Sequence, residues 1–320
     1  MTMKAWVFSG AGKPLELKDV DEPTAAPGEI VIDVKASGLC HSDVSALDDP
    51  NWSVNFPDHP IVLGHEIAGV VSEIGEGVTN LKVGDRVGVP SGPPNLSGYF
   101  RDGGYAPKTT AIATAVTPIP DNVDFITAAA GTDAGNVAYH AVVGQGGAQE
   151  GMKVGIIGFG GLGQIGARIA VVLGCEVYVA EIKEDVWPLA KEVGAVEVAK
   201  DISEFADKNL DLIVDFAGFG TTTQAAVETV REYGTVVQVG MGKIQFEFNS
   251  NPLITRQVSL TGSMGGSVED LAGVYELMST GQLTPTVSVM NFEEVNDGLD
   301  LLRQGEVTGR IVIDMQESAR

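Results

Sequence analysis

The chain is poor in basic residues and in long apolar runs. Its 320 residues include 20 lysines and arginines against 43 aspartates and glutamates, a formal net charge of −23. Nucleic acids and anionic membrane surfaces select for basic patches, so this charge argues against both as partners. The acidity favours solubility, and it would equally suit a saline habitat.

No apolar run approaches the roughly 18 residues that would suggest a membrane span. The N-terminal sequence MTMKAWVFSGAGKPLELKDV also lacks the basic and apolar regions of a signal peptide. These two absences predict a cytoplasmic enzyme.

Cysteine is scarce as well. The two cysteines, Cys40 and Cys175, cannot form a disulfide framework, which excludes that way of organising the fold. Cys175 opens an apolar strand pattern and is expected to be a small buried hydrophobe. Cys40 instead stands in the polar sequence CHSD, which indicates a chemical role.

At 320 residues the chain exceeds one typical domain, so two domains that share a cleft are expected. Residues 5–38 alternate short apolar stretches with glycine and proline, which is typical of consecutive strands in a β unit. The β pattern continues to residue 110. A stretch of small residues from Asp124 onward then predicts a closely packed helix.

Beyond this helix, apolar runs alternate with helical segments. Near-continuous β-branched runs separated by helices indicate a parallel sheet that is buried on both faces. The predicted strands are residues 154–157, 176–180, 210–218, 234–240 and 257–263. A helix over 267–282 and a strand in GRIVIDM are predicted to end the chain.

A glycine-rich turn joins the first of these strands to its helix, and it reads Gly158-Phe159-Gly160-Gly161-Leu162-Gly163. The first glycine allows the turn, the second lets the backbone approach a pyrophosphate, and the third lets helix and strand pack closely. The helix N-terminus offers unpaired N–H groups to the phosphate charge. The alternative interpretation is a glycine-rich turn of an ordinary βαβ unit.

An acidic residue, Glu181, ends the second strand 18 residues after the last glycine (181 − 163 = 18). This spacing is near the ~20 residues expected for the acid that binds the ribose hydroxyls of a dinucleotide. A carboxylate there repels a 2′-phosphate, so the motif predicts NAD rather than NADP. Ile182, Val239 and Met241 complete the predicted cofactor-binding set.

Cys40 and His65 are separated by 25 residues (65 − 40 = 25). Thiolate and imidazole are preferred zinc ligands, and a catalytic zinc needs three protein ligands and one open position. The residues alone give two of the three. The alternative is that Cys40 is an ordinary turn cysteine and His65 an ordinary core histidine, with no metal between them.

Four stretches together resemble the zinc-dependent medium-chain alcohol dehydrogenase family: GLCHSDVSAL, PIVLGHEIAGVVSEIGEGVTNLKVGDRV, GFGGLG and GEVTGRIVI. The similarity extends over nearly the whole chain. It implies an α/β plus β fold, with a GroES-like β domain carrying the catalytic zinc, a Rossmann doubly wound parallel-sheet domain carrying NAD, and a cleft between them. The expected domains are 1–134 with 263–320, and 135–262.

The resemblance also implies a set of zinc ligands. Cys40 and His65 match the family's first two ligands, and Asp133 stands where the third, usually a cysteine, is expected. A carboxylate oxygen is a competent zinc ligand. The chain resembles a carbonyl reductase group with cysteine, histidine and aspartate ligands, in which the next glutamate can coordinate, so Glu66 is a candidate fourth ligand. The alternative for Asp133 is an ordinary acid at a helix start.

Many family members bind a structural zinc through four cysteines between GDRV and GGYA. Here that interval is GVPSGPPNLSGYFRD, without cysteine. One catalytic zinc per chain and no structural zinc is therefore expected. In those members the four cysteines lie in a lobe that often takes part in subunit contacts, and this chain lacks it. We therefore expect a homodimer built through the Rossmann sheets, with a tetramer as the alternative.

The resemblance assigns roles to further residues. Ser42 matches the hydroxyl that takes the alcohol proton towards the nicotinamide ribose. Ser45 stands where relatives often have a relay histidine, so the relay is expected to end through water. His41 and Arg310 match contacts with the NAD pyrophosphate, and Asp43 is expected to orient a zinc ligand.

The predicted reaction is hydride transfer between a primary or secondary alcohol, or the matching aldehyde or ketone, and NAD. A zinc-free quinone or enone reductase of the same fold is the first alternative, because Asp133 departs from the usual ligand triad. A non-catalytic NAD-binding protein is the second. His59 and His140 are expected to be structural. Four residues are candidates for an apolar substrate pocket, with a place in the core as the equal alternative for each: Trp52, Phe56, Tyr99 and Met264.

Overall fold

A computed structural model describes residues 1–52 and 60–315. The chain divides into two compact units, one formed by Met1–Asn136 with the C-terminal residues from Gly265 and the other by Val137–Met264. His59 and Phe56 lie outside the described residues. Within the described ranges, no helix is long and apolar enough to cross a membrane.

The elements are numbered in chain order. The strands are β1 Thr2–Phe8, β2 Glu16–Asp21, β3 Glu29–Leu39, β4 Ile61–Val62, β5 Glu66–Ile74, β6 Arg86–Val89, β7 Lys108–Ile112, β8 Thr117–Pro118, β9 Lys153–Ile157, β10 Glu176–Ala180, β11 Glu197–Ala199, β12 Leu212–Asp215, β13 Thr235–Gln238, β14 Ser259–Gly262, β15 Val287–Asn291 and β16 Arg310–Asp314. The α-helices are α1 His41–Asp48, α2 Phe125–Ala130, α3 Asn136–Tyr139, α4 Gly161–Val172, α5 Trp187–Val193, α6 Thr221–Thr229, α7 Asn251–Thr255, α8 Val268–Ser279 and α9 Val295–Gln304. Short 3₁₀ turns cover Glu184–Val186, Ile202–Lys208 and Phe292–Glu294.

The first unit is built around two sheets. One has the order β2-β1-β4, and the other the order β15-β16-β3-β5-β6-β8, with β7 also paired to β3. Strand β3 is the organising strand because it pairs with β5, β7 and β16. Its Ile30, Ile32 and Leu39 are fully buried in the core of this unit, and each such side chain contributes about 1.5–3 kcal/mol by leaving water.

The second unit contains a six-stranded sheet in the order β11-β10-β9-β12-β13-β14. All of its strand pairs are parallel. This is the 3-2-1-4-5-6 order of the doubly wound dinucleotide-binding fold. Strands β9 and β12 at its centre are almost wholly buried, as expected for a parallel sheet with both faces covered.

The helix predicted from Asp124 onward forms, but it is irregular. Asp124 caps α2 by accepting a hydrogen bond from the Thr127 backbone N–H. π-Helical segments, Gly131–Gly135 and His140–Gln145, then flank α3. Such segments widen the helical turn and are frequent at functional sites. Asp133 lies inside the first of them.

The prediction that Cys175 is a buried hydrophobe is wrong. The residue is half-buried and lies before β10, in the turn that follows α4. Its thiol donates a hydrogen bond to the Gln149 carbonyl, 3.2 Å away. Burial and the charge of Asp211 raise the pKa of this thiol. The continuous buried run begins only at Val177, inside the strand.

Asp215, at the end of β12, fastens the turn to α6. Its fully buried carboxylate accepts hydrogen bonds from Ala217 N, Gly218 N, Thr222 Oγ1 and Thr223 Oγ1, at 3.0, 2.9, 2.8 and 2.8 Å. We expect Asp215→Ala to lower the free energy of unfolding by about 3 kcal/mol or more, because several buried donors lose a charged acceptor. Urea denaturation measures this loss.

The control for this prediction is Thr223→Val, which removes one donor from the same carboxylate. Its loss should be about 1 kcal/mol. Equal losses for the two variants would contradict the role given to Asp215.

Candidate metal centre and cofactor turn

Four side chains that can ligate a metal converge in the first unit. They are Cys40, His65, Glu66 and Asp133, and one ligand atom of each lies within 4.8 Å of the others. All four residues are buried. Cys40 immediately precedes α1, His65 and Glu66 stand at the start of β5, and Asp133 comes from the π-helical segment. The fold therefore brings together residues that are up to 93 positions apart in the chain.

The spacing of these atoms suits one tetrahedral ion. Cys40 Sγ lies 3.6 Å from Asp133 Oδ2, and His65 Nε2 lies 3.8 Å from the same oxygen. Ligands bound 2.0–2.3 Å from one zinc ion are roughly 3.3–3.8 Å apart in a tetrahedral site. A thiol, an imidazole and a carboxylate at these distances fit zinc.

Glu66 supplies a second carboxylate to the cluster. Its Oε2 atom is buried and accepts no hydrogen bond from the described residues. A Cβ atom at Gly38, on the neighbouring strand, would lie 2.1 Å from this oxygen. Only a glycine at position 38 leaves room for the Glu66 carboxylate. No motif in the sequence indicates this role of Gly38.

Arg310 is the buried cation of the cluster. Its side chain pairs with Glu66 Oε1, and its Nη2 atom lies 3.6 Å from Asp133 Oδ2. The residue is only 3% exposed. Buried carboxylates are stable only when paired, so Arg310 offsets part of the cost of placing two of them together. The predicted contact of Arg310 with a pyrophosphate stays a prediction.

Asp43 contacts the Nδ1 side of the His65 imidazole, opposite the side that faces the cluster. Its Oδ1 atom lies 3.4 Å from His65 Nδ1, and its Oδ2 atom accepts hydrogen bonds from Cys40 N at 3.1 Å and Tyr105 Oη at 2.7 Å. The Tyr105 hydroxyl is also 3.2 Å from the Gly38 carbonyl. This arrangement leaves His65 Nε2 facing the cluster, as is usual for metal-binding histidines. Tyr105 gave no signal in the sequence beyond its place in a β pattern.

The protonation of the two non-carboxylate ligands is shifted by their neighbours. Burial would raise the pKa of the Cys40 thiol, but Arg310 and His65 favour the thiolate, and the pKa is lowered. Burial would lower the pKa of His65, but the Asp43 carboxylate beside Nδ1 outweighs it and raises that pKa well above its ordinary value. The thiol therefore loses its proton more readily than an ordinary cysteine, which metal binding requires.

Ser42 faces the same imidazole. Its Oγ atom lies 3.3 Å from His65 Nε2. The Tyr99 ring lies 5.1 Å from the imidazole between ring centroids, and a hydrogen bond joins Tyr99 to Ser42. Burial raises the pKa of the Tyr99 phenol, so it stays neutral and can donate. Of the pocket candidates, Tyr99 is thus beside the cluster.

Other predicted residues lie elsewhere. His41 is exposed at the start of α1, where its carbonyl accepts a hydrogen bond from Ser45 Oγ at 3.1 Å. Met264 is 76% exposed and Trp52 is half-buried. His140 is half-buried beside Gln145 in the second unit.

The glycine turn has the geometry that the motif predicts. Gly158 has φ +83°, which side chains other than glycine rarely adopt. A Cβ atom at Gly163 would lie 1.9 Å from the Gly158 carbonyl oxygen, whereas a Cβ atom at Gly160 would meet nothing within 4 Å. Gly161 and Leu162 begin α4. The turn therefore leaves an open backbone at the N-terminus of this helix.

Glu181 reaches back to this turn. Its Oε2 accepts a hydrogen bond from Phe159 N at 2.7 Å, and its Oε1 accepts one from Lys183 N at 2.8 Å. Both contacts fix the carboxylate at the carboxyl end of the sheet, where doubly wound folds bind dinucleotides.

Three further predicted cofactor residues follow strands of the same sheet. Ile182 and Met241 are 79% and 57% exposed, and Val239 is half-buried. Exposed apolar side chains at this edge are consistent with a bound ligand. Their contact with a cofactor stays a prediction.

Comparisons with known proteins agree with this architecture. Residues 26–121 match the model for the alcohol dehydrogenase GroES-like domain, and residues 161–280 match the model for zinc-binding dehydrogenases. An alcohol dehydrogenase of Geobacillus stearothermophilus is 33% identical over 337 aligned residues, with 97% of this chain and 99% of the relative covered. The chain belongs to the zinc-dependent medium-chain alcohol dehydrogenase family.

Other members of the family are similar over their whole length. An alcohol dehydrogenase of Moraxella is 32% identical, with 98% of this chain and 99% of the relative covered. The structure of acetophenone reductase from Geotrichum candidum in complex with NAD matches with a TM-score of 0.87 and 31% identity, covering 98% of this chain and 97% of that one. The predicted combination of a GroES-like β domain and a Rossmann domain is confirmed for this family member.

Asp43 contacts His65, Cys40 and Tyr105, and we call these contacts the Asp43 network. If the cluster binds zinc, breaking this network should weaken the binding. We expect Tyr105→Phe to weaken zinc binding about tenfold, because removing the hydroxyl loosens the carboxylate that orients His65. Competition with a chromogenic chelator gives the Kd. The matched control is Tyr178→Phe, which removes a hydroxyl that donates to Glu176 in the second unit. A Tyr105→Phe enzyme with the wild-type Kd would contradict the role of the network.

Proposed function

We propose that this chain is a zinc- and NAD-dependent alcohol dehydrogenase that also works as a carbonyl reductase. It transfers hydride between a primary or secondary alcohol, or the matching aldehyde or ketone, and the nicotinamide. The observation that carries the proposal is the buried cluster of thiol, imidazole and two carboxylates within 4.8 Å of one another. The same chain carries a dinucleotide turn in its parallel sheet.

Cys40 Sγ, His65 Nε2 and Asp133 Oδ2 would hold the zinc ion. Glu66 would be a fourth ligand that substrate displaces, because its Oε2 atom is buried without a hydrogen bond from the described residues. Zinc supplies Lewis acidity there, which lowers the pKa of an alcohol so that an alkoxide exists near neutral pH. The donor set contains one sulfur, so it is harder than the two-cysteine set usual in relatives.

Ser42 would move the proton. Its Oγ atom lies beside the ligand face of His65, 3.3 Å from Nε2, and it is hydrogen-bonded to Tyr99. A hydroxyl can accept the alcohol proton while donating its own, so it can relay the proton onward without becoming charged. Ser45 lies one turn further along α1 and donates to the His41 carbonyl, which supports a relay that ends through water.

The cofactor would be NAD, held with its pyrophosphate over the glycine turn and its ribose at Glu181. The two backbone N–H groups that bind the Glu181 carboxylate fix its position. The complex of acetophenone reductase with NAD supports this choice. Hydride chemistry belongs to the cofactor, and the protein supplies its orientation.

The alternative of a zinc-free quinone or enone reductase is less well supported. Such a reductase has no need for a buried thiol, imidazole and carboxylate at metal-ligand spacing. The alternative of a non-catalytic NAD-binding protein gives no reason for Ser42 beside His65. We therefore retain the zinc enzyme, with one catalytic zinc per chain.

A homodimer would form through the Rossmann sheets. Strand β14 is one of the two edge strands of the six-stranded sheet, and its Leu260 is 36% exposed. An edge strand presents unpaired backbone groups that a second copy can pair with.

The three-ligand site is tested by metal content. We expect the wild-type chain to bind about one zinc ion, and Asp133→Ala to lose both the ion and activity on a panel of secondary alcohols, because removal of a ligand opens the site. Inductively coupled plasma emission spectroscopy measures the number of zinc ions per chain, and the absorbance of the NADH that forms measures the activity. The control Asp133→Cys restores the ligand usual in the family and should keep zinc. Active enzyme without metal would favour the zinc-free alternative.

Cofactor choice is tested at Glu181. We expect Glu181→Ala to raise the ratio of kcat/KM for NADP to that for NAD by about tenfold or more, because a charge that repels a 2′-phosphate is removed. The control Glu184→Ala removes a nearby exposed acid that pairs with Lys200. It should leave the ratio unchanged. A Glu181→Ala enzyme as selective for NAD as wild type would contradict the assignment.

A further inference from the structure

Ser91 is bound to the π-helical segment at two points. It lies two residues after the end of β6, and its backbone N–H donates a hydrogen bond to the Thr132 carbonyl, 3.0 Å away. Its hydroxyl donates a second hydrogen bond to Asp133 Oδ1, 2.5 Å away. The distance of this second bond is typical of a hydroxyl that donates to an ionised carboxylate.

The two carboxylate oxygens of Asp133 have different partners. Oδ1 is bound to Ser91, whereas Oδ2 points to the cluster, 3.6 Å from Cys40 Sγ, 3.8 Å from His65 Nε2 and 3.6 Å from Arg310 Nη2. A free carboxylate can rotate about its Cβ–Cγ bond and offer either oxygen, or both, to a metal ion. The hydrogen bond from Ser91 removes that freedom.

We propose that Ser91 is a positioning residue that restricts Asp133 to one coordinating oxygen, Oδ2. The inference rests on the proposed zinc site. With one oxygen from Asp133 the site would be tetrahedral, and Glu66 and substrate would exchange at its fourth position. Two oxygens would raise the coordination number and fill that position.

The requirement is specific to a carboxylate. A cysteine at position 133 would offer a single sulfur atom, with no second ligand atom to restrain. The role given to Ser91 therefore depends on the carboxylate at position 133. Ligating carboxylates are commonly hydrogen-bonded in this way, and loss of such a partner typically weakens metal binding 10–100-fold.

The backbone bond and the hydroxyl bond can be separated by mutation. Ser91→Ala keeps the N–H that binds Thr132 and removes only the hydroxyl, so the strand and helix stay joined. Ser91→Thr keeps both. The effect of Ser91→Ala thus reports on the carboxylate rather than on the fold, and the thermal midpoint of the metal-free chain checks this.

The experiment measures the metal rather than the reaction. Zinc affinity is measured by chelator competition on the full chain, and Co²⁺ replaces zinc so that its d–d absorption reports the coordination number. We expect Ser91→Ala to weaken zinc binding about tenfold and to shift the cobalt bands towards the weaker absorption of a five-coordinate site. Ser91→Thr should restore both values.

A second background separates positioning from structure. In Asp133→Cys, the same Ser91→Ala change should leave zinc affinity and the cobalt spectrum unaltered. An equal loss in both backgrounds would overturn the proposal, because it would mean that Ser91 acts through the fold. A wild-type spectrum and affinity for Ser91→Ala would overturn it as well.

Failure of the inference and failure of the proposed function are distinguishable. If the wild-type chain binds zinc and Ser91→Ala matches it, only the positioning role is wrong. If the wild-type chain binds neither zinc nor cobalt, the zinc site is wrong and the role of Ser91 falls with it.

Discussion

The arrangement of residues around the cluster depends on the free-energy cost of burying several acidic groups together. A thiol and two carboxylates lie within 4.8 Å of one another, with an imidazole among them. In a low-dielectric interior such groups repel unless cations share the space. Arg310 provides one cation from β16, and the proposed ion provides another. Gly38, Asp43 and Tyr105 serve this arrangement by making room for it or by orienting its members.

The elements that carry the cluster come from three parts of the first unit. Cys40 directly precedes a helix, His65 and Glu66 stand just before and at the first residue of a strand, and a widened helical turn gives Asp133. Strand β3 supports two of them, since it ends just before Cys40 and its Gly38 pairs with Glu66 in β5. The central β pairing therefore sets the distances between the side chains of the cluster, so the rigidity of the sheet determines the geometry of the site.

Much of the fold could be predicted from residue patterns because strand runs, glycine turns and small-residue helices are local signals. The parallel sheet and the turn at Gly158 are of this kind. Cys175 was mispredicted because a boundary one residue away changes its environment. The roles of Tyr105 and Ser91, and the pairing of Arg310 with Glu66, could not be predicted, because each depends on a polar contact between distant elements. Such contacts leave no periodic trace.

The presence of a single sulfur in the cluster has a consequence for its durability. A site with two cysteines can close into a cystine when its ion is lost under oxidising conditions, and the ion then cannot return. Here the only other cysteine is Cys175, which belongs to the second unit and is bonded to the Gln149 carbonyl. If the cluster holds the proposed ion, its loss would leave Cys40 without a second thiol in the cluster, so cystine formation within the site would not stop the ion from returning.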